Sequence, residues 1–193
     1  MIRPILAFGN SLLRKACEPV DQQYQDLNNL IDDMWETMEN AQGCGLAAPQ
    51  VGVAIRLFVV DSKTTFNNLS AEERRISFDK KDTGIKQVFI NARIIGRSEN
   101  CWNDEEGCLS IPGFSRTVER PWAVTVEYHD EYFRFHKNTF FGATARMIQH
   151  EFDHTEGILY LDYLKPITRK LIAPRLKKIS KGDVDTGYPM RFV

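Results

Sequence analysis

One short segment constrains this chain more than any other: residues 150–154 read His-Glu-Phe-Asp-His, an instance of the pattern H-E-x-x-H. Residues four apart lie on the same face of a helix, so His150 and His154 point in the same direction. Two imidazoles in this arrangement can bind one divalent metal ion, and Glu151 between them can act as a general base towards a bound water. The alternative is a pair of histidines that are satisfied within a core or on the surface.

The residues around this motif predict a largely buried helix. Between Phe141 and Gly157 the apolar side chains form two stripes at helical spacing, and Gly157 is suited to end the helix. Ala143 and Met147 continue the stripe of the two histidines. We therefore expect apolar groups to wall the metal and to form a pocket for an apolar side chain, whereas the alternative places Met147 in ordinary core.

Two histidines do not complete a catalytic metal site, which usually has three protein ligands and one open position. Downstream of the motif, a third histidine at the metzincin spacing is excluded because Tyr160 stands there. The only later glutamate, Glu156, follows His154 too closely, and Asp162 lies in a predicted turn. The third ligand is therefore expected upstream.

Cys108 is the best upstream candidate. It stands between Gly107 and a Leu-Ser-Ile-Pro turn, which indicates an exposed backbone rather than a cysteine within a core. The alternative is a buried, inert thiol. Together with the two motif histidines, Cys108 would supply one thiolate and two imidazoles and leave a fourth position for water.

A second unusual segment is rich in glycine: residues 43–50 read Gly-Cys-Gly-Leu-Ala-Ala-Pro-Gln. The glycines on either side of Cys44 allow a tight backbone and the close approach of a ligand. Gln50 is the one neutral side-chain hydrogen-bond donor in the segment. The alternative is a simple turn between a helix and a strand.

The composition is that of an ordinary globular protein, and 193 residues suffice for one domain with a sizeable core. Apolar residues make up 42% and the formal net charge is −1, so no global field favours nucleic acid or a membrane. We expect neither a signal peptide nor a transmembrane segment. The four cysteines form no C-x-x-C pair, and we interpret them as thiols in a reducing cytosol.

Hydrophobic periodicity predicts an α+β fold with a single domain over residues 1–193. A largely antiparallel sheet is expected to pack around the metal-binding helix, with further helices near the N-terminal and C-terminal ends. The predicted helices, besides that of the motif, are Gln22–Gln42 and Ile167–Ile179, the latter interrupted or bent near Pro174. The predicted strands are 56–61, 87–96, 117–119, 123–129 and 132–136.

Four segments lie outside this regular pattern. Residues 98–106 are interpreted as an acidic loop, residues 62–84 as a polar surface insertion that is partly mobile, and residues 182–193 as a loose tail. Residues 165–181 carry seven basic side chains and no acidic one. A solvated helix face is one interpretation of that basic segment, and a patch that faces RNA is the other.

Three segments now stand in order: GCGLAAPQ at 43–50, EGCLS at 106–110 and HEFDH at 150–154, with Gln149 preceding the last. Together they resemble the motifs of the peptide deformylase family, and the resemblance covers essentially the whole chain. It implies a cytoplasmic, bacterial-type enzyme that removes the N-formyl group from new polypeptides beginning with formyl-methionine and releases formate. It says less about residues 62–84 and the basic C-terminal segment.

The resemblance also assigns the metal site. It implies that Cys108, His150 and His154 are the ligands and that Glu151 is the catalytic acid/base. The family's physiological metal is Fe(II), and zinc, nickel or cobalt can replace it. We further hypothesise that Asp153 supports the site from outside the ligand set, pairing with an arginine such as Arg120.

Further roles follow for the substrate side of the site. The resemblance implies that Gln50 and the backbone N–H of Leu109 donate to the developing oxyanion, and that Gly45 and the Cys44 position border the substrate groove. Met147 and Ala143 are expected in the pocket for the methionine side chain. Position 44 is usually aliphatic in the family, so Cys44 is a departure that adds an oxidisable thiol.

The expected partners are N-formyl-methionyl nascent peptides, with a ribosome contact through the basic C-terminal segment as a further hypothesis; no membrane or DNA is expected. Two other interpretations stay open. A small zinc endopeptidase would cleave internal amide bonds rather than formyl groups. A structural zinc module that binds RNA would have a closed site with a fourth protein ligand.

Overall fold

The computed structural model describes residues 1–193. Its α-helices are α1 Leu27–Asn40, α2 Ser62–Asn68, α3 Ala71–Ser77, α4 Gly142–Thr155 and α5 Pro166–Ser180. Its strands are β1 Ile5–Leu6, β2 Gly45–Ala47, β3 Leu57–Asp61, β4 Lys86–Arg97, β5 Cys101–Cys108, β6 Ile111–Pro121, β7 Ala123–His129, β8 Phe135–Phe141 and β9 Met190–Arg191. Short 3-10 turns lie at Ser11–Arg14, Ala48–Val51 and Tyr160–Tyr163. No helix is long and apolar enough to span a bilayer.

The strands form one main sheet and two small pairs. The main sheet has the order β2-β3-β4-β7-β8, with every neighbouring pair antiparallel. Strands β5 and β6 form a separate antiparallel hairpin, and β1 pairs in parallel with β9. The predicted α+β fold with a largely antiparallel sheet is therefore confirmed.

Helix α4 lies against the main sheet and is buried on nearly all sides. Ala145 and Ile148 are fully buried with Phe58 and Phe89 of the sheet. A helix enclosed in this way can present side chains on more than one face to the protein interior. It ends at Thr155, two residues before the glycine predicted to stop it, and that glycine has a left-handed backbone.

Helix α4 begins at Gly142, a position that has no room for a side chain. Gly142 has φ +51°, and a Cβ there would lie 2.2 Å from the carbonyl oxygen of Ser77 at the end of α3. Its N–H donates to the carbonyl of Trp122 at 2.7 Å. The start of α4 is thus packed tightly between the 62–84 segment and the β6–β7 connection.

The prediction of an acidic loop at 98–106 is wrong, because β5 covers most of that range and pairs with β6. Three consecutive acidic residues, 104–106, stand in β5, and only the last of them is buried, so the sequence shows no alternating apolar pattern that would predict a strand. The strand predicted at 132–136 lies further along the chain, since β8 begins at Phe135 after a turn at 130–134.

The two segments predicted to be irregular have definite structure. Residues 62–84 contain α2 and α3, and the buried Ser62 hydroxyl contacts the Thr144 hydroxyl at 2.9 Å. Residues 182–193, predicted to be a loose tail, include β9, and the carbonyl of Pro189 accepts a hydrogen bond from the N–H of Ile5. Helix α5 continues through Pro174 without the predicted interruption.

Candidate metal centre and active site

Three predicted ligands meet in one place. Cys108 ends β5, while His150 and His154 lie one turn apart on α4. One ligand atom from each lies within 4.8 Å of the others, and all three residues are buried. The sulfur of Cys108 is 3.2 Å from Nε2 of His154. A turn at the end of a hairpin and a helix distant in sequence therefore converge on one point.

The donor set fits a divalent transition metal. One thiolate and two imidazoles match the ligands that bind zinc or iron in proteins, and three protein ligands leave a coordination position open. Burial lowers the pKa of His154 well below its usual value, which favours the neutral form that binds metals. The oxygen Oε2 of Glu151 is buried without a hydrogen-bond partner, as expected of a carboxylate that faces a site for a ligand or water.

Glu106, next to the cysteine loop, orients one of the histidines. Its Oε2 lies 3.0 Å from Nδ1 of His150, so the other ring nitrogen is left for a metal. Arg120 donates two hydrogen bonds to the same carboxylate, at 2.6 and 2.9 Å, and Arg146 donates a third at 2.7 Å. Burial would raise the pKa of Glu106, but the hydrogen bonds from Arg120 and His150 hold it well below its usual range.

Asp153, the residue hypothesised to pair with an arginine, lies beside this group. Nη1 of Arg120 donates to Asp153 at 2.8 Å, and the Tyr163 hydroxyl donates at 3.0 Å. Arg120 thus joins Asp153 on α4 to Glu106 on β5, and these three residues are buried. Charges enclosed in this way are held in fixed geometry because each has a partner.

The buried carboxylate of Glu151 lies directly over Gly45. A Cβ added to Gly45 would lie 2.5 Å from Oε1 of Glu151, so only glycine fits at this point of β2. Burial raises the pKa of Glu151 to about 7. A carboxyl group with such a pKa can both accept and return a proton near neutral pH.

Gln50 is fixed with its amide nitrogen towards the cysteine loop. Its Oε1 accepts from the backbone N–H of Ala47 at 2.8 Å. Its Nε2 lies 3.6 Å from the sulfur of Cys108 and 3.3 Å from the Ser110 hydroxyl. Gln50 therefore presents a hydrogen-bond donor beside the candidate metal ligands.

A cleft of about 970 Å³ opens in front of these residues. It is lined by every residue predicted on the substrate side, namely Cys44, Gly45, Gln50, Leu109, Ala143 and Met147. Cys44 is exposed there, Met147 is half-buried and Ala143 is buried. Leu69, between α2 and α3, and Ile76 of α3 also line the cleft, so the 62–84 segment contributes to it.

Three further residues, to which the sequence assigns no role, lie at the site. Glu106 stood within a quoted motif, and its position beside Cys108 was the available signal. Arg146 lies on α4 and supports Glu106, but an arginine on a helix carries no such signal by itself. Tyr188 comes from the C-terminal tail and lines the cleft, and nothing in its local sequence predicts that contact.

Comparison with known proteins agrees with this geometry. The family model described as polypeptide deformylase matches residues 2–170. A peptide deformylase of Christiangramia forsetii is 43% identical over 194 residues, covering 100% of this chain and 96% of the relative. A peptide deformylase of Cytophaga hutchinsonii is 42% identical over 192 residues, covering 100% of this chain and 98% of the relative.

Solved structures give the same result. The crystal structure of peptide deformylase from Ehrlichia chaffeensis aligns with a TM-score of 0.81 at 32% identity, covering 95% of this chain and 99% of that one. A peptide deformylase from Legionella pneumophila aligns with a TM-score of 0.76 at 36% identity, covering 95% and 98%. With the ligand set, the cleft and these relatives in agreement, the chain belongs to the polypeptide deformylase family.

Proposed function

We propose that the protein removes the N-formyl group from the N-terminal formyl-methionine of newly made polypeptides and releases formate. Its family membership supports this activity. The convergence of Cys108, His150 and His154 within 4.8 Å is the observation that carries it. Cys108, His150 and Glu151 line the cleft. A buried metal site with a carboxylate beside it suits the hydrolysis of a small amide.

The thiolate of Cys108 and the ring nitrogens of His150 and His154 would hold the metal. Fe(II) is the proposed native metal, with zinc, nickel or cobalt as substitutes, because a soft sulfur ligand with two imidazoles suits these ions. A metal bound there supplies Lewis acidity, which makes a water molecule more acidic and polarises the formyl carbonyl. Glu106 keeps His150 in the orientation and tautomer that ligation requires.

Glu151 is proposed to move the proton of the reaction. Its carboxylate takes a proton from the attacking water and delivers it to the leaving amine nitrogen as the carbon–nitrogen bond breaks. A pKa raised to about 7 by burial suits both steps, because the group can exist in either form near neutrality. Gly45 contributes by leaving the space that the carboxylate occupies.

Gln50 and the backbone N–H of Leu109 are proposed as donors to the oxyanion that develops from the formyl oxygen. The Ala47 N–H fixes the Gln50 amide, so Nε2 already faces the Cys108 sulfur before substrate binds. A fixed donor need not reorganise during the reaction, and one such donor is typically worth roughly 3–4 kcal/mol.

The substrate is proposed to lie along β2, which is an edge of the main sheet. The backbone at Cys44 and Gly45 can pair with an extended peptide, which gives affinity without dependence on its side chains. Met147 and Ala143 line the same cleft and would contact the methionine side chain. Such a site would accept many sequences after the first residue.

The deciding experiment measures formate release from formyl-Met-Ala by anaerobically purified protein, with metal analysis of the same sample. We expect turnover in the wild type, and a loss of at least about 100-fold in Glu151→Gln with unchanged metal content. Cleavage of casein without formate release would favour an endopeptidase. Metal-loaded protein that releases no formate would contradict the proposal.

We also infer that the protein acts in the cytoplasm, on chains at the ribosome. All seven basic residues of segment 165–181 are exposed, so α5 offers positive charge to RNA phosphates. Co-sedimentation with ribosomes at low salt tests this contact. The double variant Lys170→Glu/Lys177→Glu should bind less, whereas Lys80→Glu/Lys81→Glu, outside α5, should not; equal binding by both would contradict the contact.

A further inference from the structure

The C-terminal tail reaches the active site through one side chain. The hydroxyl of Tyr188 donates a hydrogen bond to the carbonyl oxygen of Leu109 at 2.9 Å. The Tyr188 ring is half-buried, lines the cleft and packs against the core cluster that includes Met38 and Leu46. This hydrogen bond joins parts of the chain 79 residues apart.

Leu109 occupies a position where small rotations matter. It follows Cys108 directly and begins the two-residue turn between β5 and β6, beside a register shift in the hairpin. The N–H proposed to bind the oxyanion and the carbonyl held by Tyr188 both belong to Leu109. The two groups lie in adjacent peptide planes that meet at the Leu109 Cα and are related only by φ and ψ of that residue. Holding the carbonyl plane therefore removes part of the rotational freedom of the turn that carries the N–H.

Other contacts hold this turn from further sides. The Leu109 side chain lies over Gly43, where an added Cβ would be 2.8 Å from Cδ1 of Leu109. The carbonyl of Ser110 accepts a hydrogen bond from the N–H of Phe8 at 2.8 Å. Phe8, near the N-terminus, and Tyr188, in the C-terminal tail, therefore hydrogen-bond to consecutive residues of the turn.

Tyr188 is itself well anchored. The Thr186 hydroxyl donates to the Tyr188 carbonyl at 3.1 Å, and the N–H of Ile5 donates to the next carbonyl, that of Pro189, at 2.9 Å. Strand β9 then pairs with β1. Burial raises the pKa of the Tyr188 hydroxyl to about 12, so it remains a donor at neutral pH.

We propose that Tyr188 is a positioning residue for the reaction, whose hydroxyl holds Leu109 so that the Leu109 N–H points at the developing oxyanion. The inference rests on the proposed function, in particular on the Leu109 N–H as an oxyanion donor. It assigns residues 182–193 a part in the chemistry, although Tyr188 need not touch the formyl group. Its effect should be felt in the transition state, where the oxyanion carries charge, more than in substrate binding.

The variant Tyr188→Phe tests this, since it removes only the hydroxyl and keeps the packed ring. With formyl-Met-Ala and protein loaded with one metal, we expect kcat to fall roughly tenfold with little change in KM, because a loosened donor loses part of its benefit. In zinc-loaded protein, nuclear magnetic resonance should show faster hydrogen exchange at the Leu109 amide. Metal content should not change.

Tyr160→Phe is the matched control, because the Tyr160 hydroxyl also donates to a carbonyl of the β5–β6 hairpin, that of Phe114, at 3.2 Å. It should lower the melting temperature without lowering kcat. If Tyr188→Phe has the same kcat and the same Leu109 amide exchange rate as the wild type, the inference is overturned, while the proposed deformylase activity is unaffected. A fall in kcat that follows lost metal, or that Tyr160→Phe reproduces, would overturn it equally. Absence of turnover in the wild type would instead reject the proposed function.

Discussion

Single atoms decide the geometry around Glu151, the proposed catalytic carboxylate. Oε1, Cγ and Cδ of Glu151 would lie 2.5, 2.7 and 2.8 Å from a Cβ at Gly45. The glycine is therefore required by the neighbour rather than by its own backbone angles, which are not left-handed. The site therefore depends on the lack of a Cβ at Gly45 as well as on the candidate ligands.

The substitution Gly45→Ala should lower kcat for formyl-Met-Ala by about 100-fold, because the added methyl group must displace the carboxylate from its working position. The matched control is Gly96→Ala on β4, where a Cβ would be 3.5 Å from Thr125, an ordinary contact. It should leave kcat unchanged. Normal turnover in Gly45→Ala would show that Glu151 does not work from this position.

The pH dependence of the reaction should report Glu151. Burial raises its pKa to about 7, and only the deprotonated carboxylate can accept a proton, so kcat/KM should fall as the pH drops below the pKa. A divalent cation nearby favours the carboxylate, so the midpoint should lie no higher than about pH 7. Formate release measured across buffers checks this, and a flat profile down to about pH 5 would contradict it.

At the scale of elements, Asp130 fixes the turn between β7 and β8. Its carboxylate accepts from the backbone N–H groups of Tyr132 and Arg134, both at 2.9 Å, and lies 2.8 Å from Nε2 of His136. Phe133 in this turn has φ +57°, a left-handed conformation that is unfavourable for a bulky residue. Three contacts from one side chain stabilise the turn in spite of that strain.

Asp130→Ala should therefore lower the melting temperature at pH 7 by about 3–6 °C. Burial would raise the pKa of Asp130, but its hydrogen bonds with His136, Arg134 and Tyr132 hold it below its usual value. Its stabilisation is present above the unfolded pKa of about 4 and is lost as pH falls through the lower folded pKa.

The difference between wild type and Asp130→Ala should consequently shrink below about pH 4, which thermal melts at several pH values would show. Glu131→Ala, in the same turn, is the control and should have little effect. A pH-independent difference would mean that the carboxylate's charge plays no part.

At the scale of the whole molecule, a metal bound at the proposed site would cross-link two parts of the fold. Cys108 and His154 are 46 residues apart, on a hairpin and a helix that belong to different parts of the fold. Glu106, Arg120 and Asp153 brace the same junction with buried ion pairs. A ligand that binds only the folded state stabilises it, so metal should stabilise the entire protein.

Removal of the metal by chelation should abolish turnover and lower the melting temperature by roughly 5–10 °C, as expected for metal present well above its Kd. Return of zinc or iron under anaerobic conditions should restore both. Cys108→Ser, treated in the same way, should change little on chelation. If chelation leaves the melting temperature of the wild type unchanged, no metal joins β5 to α4.

Much of this protein was predictable from local sequence. The 3.6-residue period around His150 and His154 predicted α4 and its ligand face, because helical geometry depends on neighbours three and four apart. The alternation of apolar residues predicted β7 to the residue. Cys108 could be nominated from the glycine and the proline-containing turn around it, but the expectation that it lies outside a core is wrong, because it is buried in a cluster with Ile111 and Tyr160.

Only the tertiary structure decided the remaining features, because they depend on contacts between residues distant in sequence. The hairpin strand β5 is defined by its pairing with β6, and its acidic residues conceal it from any pattern of hydrophobicity. The partners of Glu106 come from β6 and α4, and the position of Tyr188 comes from the pairing of β9 with β1. The sequence by itself determined which side chains could bind a metal and move a proton; the fold decided what holds them in place, since long-range packing leaves no local period to read.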